Sequence, residues 1–239
     1  MSAPKVMVVI PTYNERENIV DLIEEILRLP IPRIEAVVVD DQSPDGTGEA
    51  VRRLISSRQG LFLIEREGPA GRGLAGRDGF LFALQSSADF VVEMDGDFSH
   101  QPRHIPELLR AMADCDVAIG SRLVAGGSDS DRPGWRYWLT KASNFYVRAL
   151  LDLPVADTNS GFRCFSREAL RMIHPESLRS PGPSIVHETL FRTTQEKLRI
   201  REVPIEFIDR RRGTSKLNLS RLMAGYFWIL RLKFGRKSW

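Results

Sequence analysis

Apolar positions along this chain fall into two alternating kinds of run. Short runs without internal polar alternation, such as Ala36-Val37-Val38-Val39, suit strands covered on both faces. Between them, apolar residues recur three and four apart, as at Ile19, Leu22, Ile23, Ile26 and Leu27, which suits one face of a helix. The pattern predicts strands at Lys5–Ile10, Ile34–Asp40, Leu61–Glu65, Asp89–Met94 and Asp116–Gly120. It predicts helices at Glu15–Leu29, Gly48–Ser57, Arg77–Ser87 and Pro102–Ala113. This alternation implies an α/β fold built on a doubly wound, mostly parallel sheet.

After Arg122 the pattern changes. Val124–Pro133 is a Gly/Ser/Asp-rich loop, and Gly134–Leu151 reads as a helix rich in Trp, Tyr and Arg. The polar loop Ala156–Phe162 leads into an extended Arg163–Phe165, followed by short helices near Glu168–Ile173 and Ile185–Glu196. Arg199–Phe207 reads as an edge strand because it contains Pro204, which cannot donate to a ladder. In the tail, Leu219, Leu222, Met223, Tyr226, Phe227, Ile229, Leu230 and Phe234 share one broad helical face. Such a helix either packs on the domain or lies in a membrane interface. No apolar run reaches the ~20 residues needed to cross a bilayer. With no internal repeat or long linker, the expected layout is one domain over 1–212 and a C-terminal basic amphipathic segment over 213–239.

The polar residues add chemistry. In doubly wound sheets, ligands bind at the carboxyl ends of the strands. The clusters Thr12-Tyr13-Asn14-Glu15, Asp40-Asp41, Asp95 with Asp97, and Ser121-Arg122 all fall there. In Val91–His100 an apolar strand runs into two carboxylates one residue apart, and residues i and i+2 of an extended chain point the same way. Paired carboxylates suit a hard divalent cation that also holds a diphosphate. Alone, Asp95-Gly96-Asp97 reads first as a solvated turn; clustering at one sheet edge shifts the balance towards a site.

Composition and charge narrow the picture. The chain has 239 residues, 42% of them hydrophobic, and a formal charge of +3, enough for a substantial core. From Arg210 to Trp239 there is no Asp or Glu, so this stretch calls for a polyanionic partner. Its aromatics suit core or membrane contacts rather than stacked bases, which argues against nucleic acid. Cys115 and Cys164 make neither a disulfide framework nor a Cys-rich metal site and fit a reducing compartment. The start, Met1–Lys5, lacks the design of a signal peptide.

Other motifs carry less. Gly71-Arg72-Gly73-Leu74-Ala75-Gly76 matches G-x-G-x-x-G but follows the third strand, not the first, which disfavours a dinucleotide site. It reads as a flexible loop over a nucleotide or sugar, with Arg72 or Arg77 on phosphate. His100 and His104 are separated by Pro102, which spoils a zinc-binding helical face, so His100 either neighbours a metal held by Asp97 or has a capping or surface role. There is no G-x-S-x-G elbow and no P-loop.

Six segments, in this order, carry a resemblance. They are Val9-Ile10-Pro11-Thr12-Tyr13-Asn14-Glu15-Arg16-Glu17-Asn18, Val39-Asp40-Asp41-Gln42-Ser43-Pro44-Asp45-Gly46-Thr47, Met94–His100, Gly120-Ser121-Arg122, Asn159-Ser160-Gly161-Phe162-Arg163 and Gly213-Thr214-Ser215-Lys216-Leu217. Together they resemble the family-2 inverting glycosyltransferases, in particular dolichol-phosphate mannose synthases and related polyprenyl-phosphate glycosyltransferases. The resemblance implies a single GT-A domain, Rossmann-like with a mostly parallel sheet, plus the C-terminal amphipathic helix. It implies a nucleotide site from Pro11, Tyr13, Glu15, Asp40, Asp41 and Asp95, and a Mg²⁺ or Mn²⁺ site at Asp95 and Asp97. It implies Asp97, Arg122 and Arg136 as the catalytic set, and acceptor-phosphate contacts from Arg122, Arg136, Arg212 and Lys216. Three positions depart from the family: Gln42 replaces a usual Gly, Gly96 a usual Ala and Ser99 a common Gln. The third-strand loop also lacks the usual Lys, for which Arg72 or Arg77 can substitute.

The expected reaction is inverting transfer of a hexose, in the first instance mannose from GDP-mannose, to a polyprenyl or dolichyl monophosphate. UDP-glucose or another nucleotide-sugar with that acceptor is the near alternative. A saccharide acceptor is the next, where Asp97 or another carboxylate would act as base. A dinucleotide oxidoreductase and a non-catalytic lipid-surface module are the readings from other classes. The implied partners are the nucleotide-sugar, the lipid phosphate and a membrane surface, with room for a membrane-anchoring partner protein and none for nucleic acid. The implied location is cytoplasmic, peripheral to the cytoplasmic face of a membrane.

Overall fold

The computed structural model describes residues 3–129, 134–208 and 219–234. The first half alternates as expected: β1 (Val6–Thr12), α1 (Arg16–Leu27), β2 (Ile34–Asp40), α2 (Thr47–Ile55), β3 (Leu61–Glu65), α3 (Arg72–Gln85), β4 (Phe90–Glu93), α4 (Ile105–Ala111) and β5 (Val117–Ser121). The second half adds β6 (Ser128–Asp129), α5 (Gly134–Leu151), β7 (Arg163–Ser166), α6 (Arg167–Met172), α7 (Ile185–Gln195), β8 (Ile200–Pro204), β9 (Glu206–Phe207) and α8 (Leu219–Phe234). Seven strands form one sheet in the order β3-β2-β1-β4-β7-β5-β8, and β6 pairs with β9 beside it.

The strands run parallel except β7, which enters antiparallel between β4 and β5. Helices cover both faces, which is why the central strands are apolar throughout. In β1, Met7 and Val9 join a core with α3, α5, α6 and α7. Val6, Val8 and Ile10 join a second core with α1, α2 and α4 on the opposite face. Every residue of β1 is buried. Pro204 ends β8, an edge strand of the sheet, where a missing N–H costs least.

The glycine-rich stretch corrects an expectation. It is not a flexible loop: α3 begins at Arg72, five residues before the predicted start. Its glycines serve close approach. A Cβ on Gly73 would lie 2.0 Å from the Ser180 carbonyl oxygen, and one on Gly79 would lie 2.3 Å from Val9 Cγ1. The Gly73 N–H donates to the Pro181 carbonyl at 2.9 Å, so the first turn of α3 is locked to the segment before α7. The periodicity failed here because glycine lowers helix propensity, and tertiary packing overrides it.

Arg163 is fully buried at the start of β7. Its guanidinium donates to the carbonyls of Ser160 (2.9 Å), Val186 (2.5 Å) and Thr158 (3.3 Å) and to Thr189 Oγ1 (2.9 Å), tying the polar loop to α7. Burial pushes its pKa down to about 10.

The tail helix α8 packs against α5 and α7, burying Ile229 in their core, yet Phe227, Leu230 and Phe234 stay exposed. On α5, Trp138, Phe145 and Tyr146 are exposed as well. One side of α8 thus packs on the domain, while apolar residues of α5 and α8 stay exposed.

Gly73→Ala is expected to lower unfolding stability by about 2 kcal/mol, because the added methyl meets backbone that cannot yield. Gly225→Ala in α8, where a Cβ meets nothing within 4 Å, is the control and should be neutral or mildly stabilising. Urea denaturation of the two variants checks this; equal effects would contradict the close-approach role of Gly73.

Candidate functional site

The carboxyl ends of β1, β2, β4 and β5 converge on one edge of the sheet. Three non-glycine residues there are left-handed: Asn14 after β1 (φ 56°), Gln42 after β2 (φ 61°) and Phe98 after β4 (φ 63°). Such conformations cost free energy and persist where surrounding structure enforces them, often at functional sites. Gln42 stands where the resemblance expects glycine, and its φ explains that preference. Its side chain bridges outward, with Nε2 donating to the Gly68 carbonyl at 2.7 Å.

At the β1–β2 end, Asp40 and Asp41 are buried. Asp40 accepts from Thr12 Oγ1 (3.2 Å), Ser43 Oγ (2.6 Å) and the Ser43 N–H (3.1 Å). Asp41 accepts the Gly71 N–H at 2.6 Å and is ion-paired with Arg66, which also pairs with Asp78 at 2.7 Å. These carboxylates thus shape the crevice, one closing the β2 turn and the other fastening the start of α3. Pro11 lies in β1 and Tyr13 stands half-exposed beyond it. The Glu15 N–H donates to Thr47 Oγ1 at 3.0 Å, and Glu15 Oε2 accepts from Asn18 at 3.1 Å. The structure brings Pro11, Tyr13, Glu15, Asp40 and Asp41 to the adjoining ends of β1 and β2.

At the end of β4, Asp97 is buried and accepts the Ser99 N–H at 3.0 Å, which fixes its carboxylate in a tight turn. The Asp95 carboxylate is engaged by Arg72, whose Nη2 and Nε reach Oδ1 at 2.8 and 3.2 Å. Arg72 Nη1 also reaches Glu93 Oε1 at 3.1 Å. Of the two arginines open as phosphate contacts, Arg72 therefore faces the site. Arg77, one turn on, pairs with Asp78.

His100 is buried, stacks on Phe162 (5.1 Å between centroids) and accepts the Asp95 N–H on Nδ1 at 3.0 Å. Burial lowers its pKa, in keeping with a neutral ring that positions the Asp95 backbone. His104 instead contacts Glu107 and the Glu206 N–H, so the two histidines serve different loops.

Just after β5, Arg122 is buried and held by Asp157: Nε–Oδ2 2.8 Å, Nη2–Oδ1 2.9 Å and N–Oδ2 3.2 Å. The guanidinium also lies 4.7 Å over the Phe207 ring. Burial opposes the charge on Arg122, but the bond to Asp157 outweighs it and keeps the pKa above its ordinary value. Burial likewise opposes ionisation of Asp157, and the Arg122 bond outweighs it to lower that pKa. Asp157 is braced in turn, since the Ala156 and Asp157 N–H groups both donate to Glu202. Arg136 lies in the first turn of α5, with its side chain outside the described residues. Arg212 and Lys216 also lie outside the described residues.

Sequence reasoning missed Asp157, His187 and Glu93, and did not foresee that Arg72 pairs with Glu93 and Asp95. Glu93 was the available signal, a carboxylate inside an apolar strand. His187, on α7, donates from Nε2 to Asn159 Oδ1 at 2.9 Å and so steadies the polar loop beside Asp157.

The donor set at the β4 end fits a hard cation only if the substrate completes it. Asp95 and Asp97 offer carboxylate oxygens of the type Mg²⁺ and Mn²⁺ prefer. Among the described residues, no group of three or more His, Cys, Asp or Glu could hold a metal ion by itself. A cation held there by Asp95 and Asp97 would have to take its remaining ligands from a substrate and water.

The model of the family "Glycosyl transferase family 2" matches residues 7–173. The undecaprenyl-phosphate mannosyltransferase of Micrococcus luteus is 37% identical over 214 residues, covering 90% of this chain and 88% of that protein. The polyprenol monophosphomannose synthase of Mycolicibacterium smegmatis is 37% identical over 227 residues, covering 94% and 85%. Among solved structures, the glucosyl-3-phosphoglycerate synthase of Mycobacterium tuberculosis, bound to Mn²⁺, UDP and phosphoglyceric acid, superposes with a TM-score of 0.71. It is 22% identical, covering 98% of this chain and 80% of that one. The likeness establishes a shared GT-A-like fold.

Burial, the largest cause, and the nearby Arg163 push the His187 pKa down to about 3 from 6.5. A depressed folded-state value means the unfolded chain binds more protons between those values. The contribution of His187 is then fully present above pH 6.5 and is lost progressively as pH falls towards 3. Urea midpoints measured between pH 7.5 and 5 are expected to fall less steeply in His187→Gln than in wild type; parallel curves would contradict a buried neutral ring.

Proposed function

The chain belongs to glycosyl transferase family 2, and from that premise we propose that it transfers mannose, from GDP-mannose, to a polyprenyl monophosphate with inversion at the anomeric carbon. The observation that carries the reading is the pairing of two electrostatically distinct ends in one crevice. Carboxylates Asp95 and Asp97 lie at the β4 end, and the braced guanidinium of Arg122 lies at the β5 end. Similarity over most of the chain to two polyprenyl-phosphate mannosyltransferases supports the donor and acceptor classes.

The chemistry follows from charge. The acceptor is a phosphate monoester whose oxygen is already anionic at neutral pH, so it needs no strong general base. That oxygen attacks the anomeric carbon from the face opposite the nucleotide; the new C–O bond forms as the bond to the diphosphate breaks, and no proton need move. Pro11, Tyr13, Glu15, Asp40 and Asp41 form the nucleotide end of the crevice. Arg122, oriented by Asp157, receives the acceptor phosphate together with Arg136, with Arg212 and Lys216 adding charge from the tail. A divalent cation held by Asp95 and Asp97 supplies positive charge to the leaving diphosphate. The protein's work is alignment and electrostatic compensation of two anionic substrates.

Reaching a lipid acceptor requires a membrane surface. No helix among the described residues is long and apolar enough to cross one. The exposed side chains of α5 and α8, Trp138, Phe145, Phe227 and Phe234, lie with exposed Lys141, Arg231 and Lys233 on the same two packed helices. Aromatic residues mixed with cations suit the headgroup region of an anionic leaflet, where each Lys or Arg contributes about 1 kcal/mol of attraction. The segment 213–239 then works as a peripheral anchor that keeps the crevice at headgroup level.

Incubation with GDP-mannose, a polyprenyl phosphate and Mn²⁺ is expected to yield a mannosyl lipid, lost in Asp97→Ala and lost reversibly in EDTA. Product from UDP-glucose alone would redirect the donor assignment, and full activity in EDTA would reject the metal. Arg122→Ala should raise the KM for lipid phosphate far more than that for the donor; equal rises would reject its place on the acceptor.

Sedimentation with anionic liposomes is expected to retain the chain at low salt and release much of it at high salt. Because Ile229 is core, the informative variant is Phe227→Ser with Phe234→Ser, which should bind liposomes poorly while keeping nucleotide affinity. Undiminished liposome binding by that variant would place the anchoring surface elsewhere.

A further inference from the structure

Arg72 and Glu93 have no part in the mechanism above, yet they occupy its centre. Arg72 is the first residue of α3, and the backbone on each side of it is pinned. The Gly71 N–H is held by Asp41 at 2.6 Å and the Gly73 N–H by the Pro181 carbonyl at 2.9 Å. The guanidinium is thereby aimed under the site, bridging Glu93 at 3.1 Å and Asp95 at 2.8 Å. The fit is close, since a Cβ on Gly161 of the acceptor-side loop would lie 2.9 Å from Arg72 Nη2. Arg72 therefore sits where the donor and acceptor halves meet.

The pair is a poor device for stability alone. The Glu93 side chain is fully buried, and its second oxygen, Oε2, has no hydrogen-bond partner in the structure. A buried carboxylate oxygen left unpaired costs free energy, and buried ion pairs return little net stability. The arrangement makes better sense as a charge held ready. Both bonds from Arg72 to Asp95 fall on Oδ1, one oxygen of a carboxylate that the metal-diphosphate reading needs. A divalent cation arriving there alone meets a guanidinium already in place, and like charges a few ångströms apart in a partly buried site repel strongly. A diphosphate arriving with the cation brings the negative charge that accommodates both.

We propose that Arg72 is a resident counter-cation of the diphosphate site. It neutralises Asp95 when no donor is bound, competes with the divalent cation for that carboxylate, and turns its charge onto the diphosphate when the donor arrives. The proposal rests on the metal-diphosphate reading of Asp95 and Asp97 and adds an order to it: the metal is retained only together with a diphosphate.

The test is Mn²⁺ binding, read from the electron paramagnetic resonance signal of free Mn²⁺, with and without GDP. Wild type is expected to bind Mn²⁺ weakly alone and far more tightly with GDP. Without GDP, Arg72→Gln should bind Mn²⁺ on the order of tenfold more tightly than wild type, the size of an ordinary coupling between sites. Its gain on adding GDP should be smaller. Arg72→Lys, which keeps the charge, should stay near wild type, as should Arg77→Gln on the same helix. Thermal melting confirms that each variant is folded. If Arg72→Gln binds Mn²⁺ without GDP no more tightly than wild type, Arg72 is only a support for Asp95 and the proposal falls. Wild type alone also decides: equal Mn²⁺ affinity with and without GDP overturns the proposal even if no variant folds. Absence of Mn²⁺ binding to wild type even with GDP overturns the metal-diphosphate reading itself, a different result from the first two.

Discussion

Negative charge is concentrated at one edge of the sheet, and it has to be balanced there. Asp40, Asp41, Glu93, Asp95, Asp97 and Asp157 all lie at or near the ends of β1, β2, β4 and β5, and all but Asp95 are buried. None can be desolvated cheaply without a partner. Asp40 is met by hydroxyls and an N–H, Asp41 by Arg66 and the start of α3, Glu93 and Asp95 by Arg72, and Asp157 by Arg122. Much of the local architecture answers this requirement. The early start of α3, the path of the polar loop and the bracing by Glu202 all bring donors to carboxylates.

The sequence carried the elements well where a single local rule governs. β2, β3 and α5 match their predicted bounds because a short apolar run, or a long periodic stretch, leaves few alternatives. It carried less where tertiary contact overrides propensity. Gly68–Gly76 reads as a loop because its glycines weaken a helix, yet at Gly71 and Gly73 the close approach to Pro181 and Ser180 admits nothing larger. β7 was legible as extended, but nothing local says that it runs antiparallel between β4 and β5. Among the described residues, both take β7 as their antiparallel partner, which arrives later in the chain.

The site shows the same division. Of the residues named from strand-end position and resemblance, Pro11, Tyr13, Glu15, Asp40, Asp41, Asp95, Asp97 and Arg122 lie along one sheet edge, because strand ends of a doubly wound sheet are brought together by topology. What holds those residues was not legible. Asp157 lies 35 residues from Arg122, Glu202 lies 45 from Asp157, and Arg72 lies 23 from Asp95. Contacts of such separation leave no periodic trace. Glu93 and Arg163 were the exceptions open to inspection: charged residues within buried strands require partners wherever those partners are.

The pairing of Arg122 with Asp157 looks at first like a reason to doubt Arg122 as a phosphate ligand. The opposite argument is stronger. A long flexible arginine would lose side-chain entropy on each capture of an anion and would reorganise when charge moves. Bound through Nε and Nη2 to a carboxylate that is itself braced by Glu202, the guanidinium has a fixed plane, and among the described residues its Nη1 edge makes no hydrogen bond. That edge can meet a phosphate at little further entropic cost. Asp157 weakens the net charge but supplies the direction, and direction is what an in-line attack between two anions demands. Arg72 represents the other solution at the same sheet edge: a cation paired with a carboxylate of the site itself, whose charge is available only when something more negative arrives.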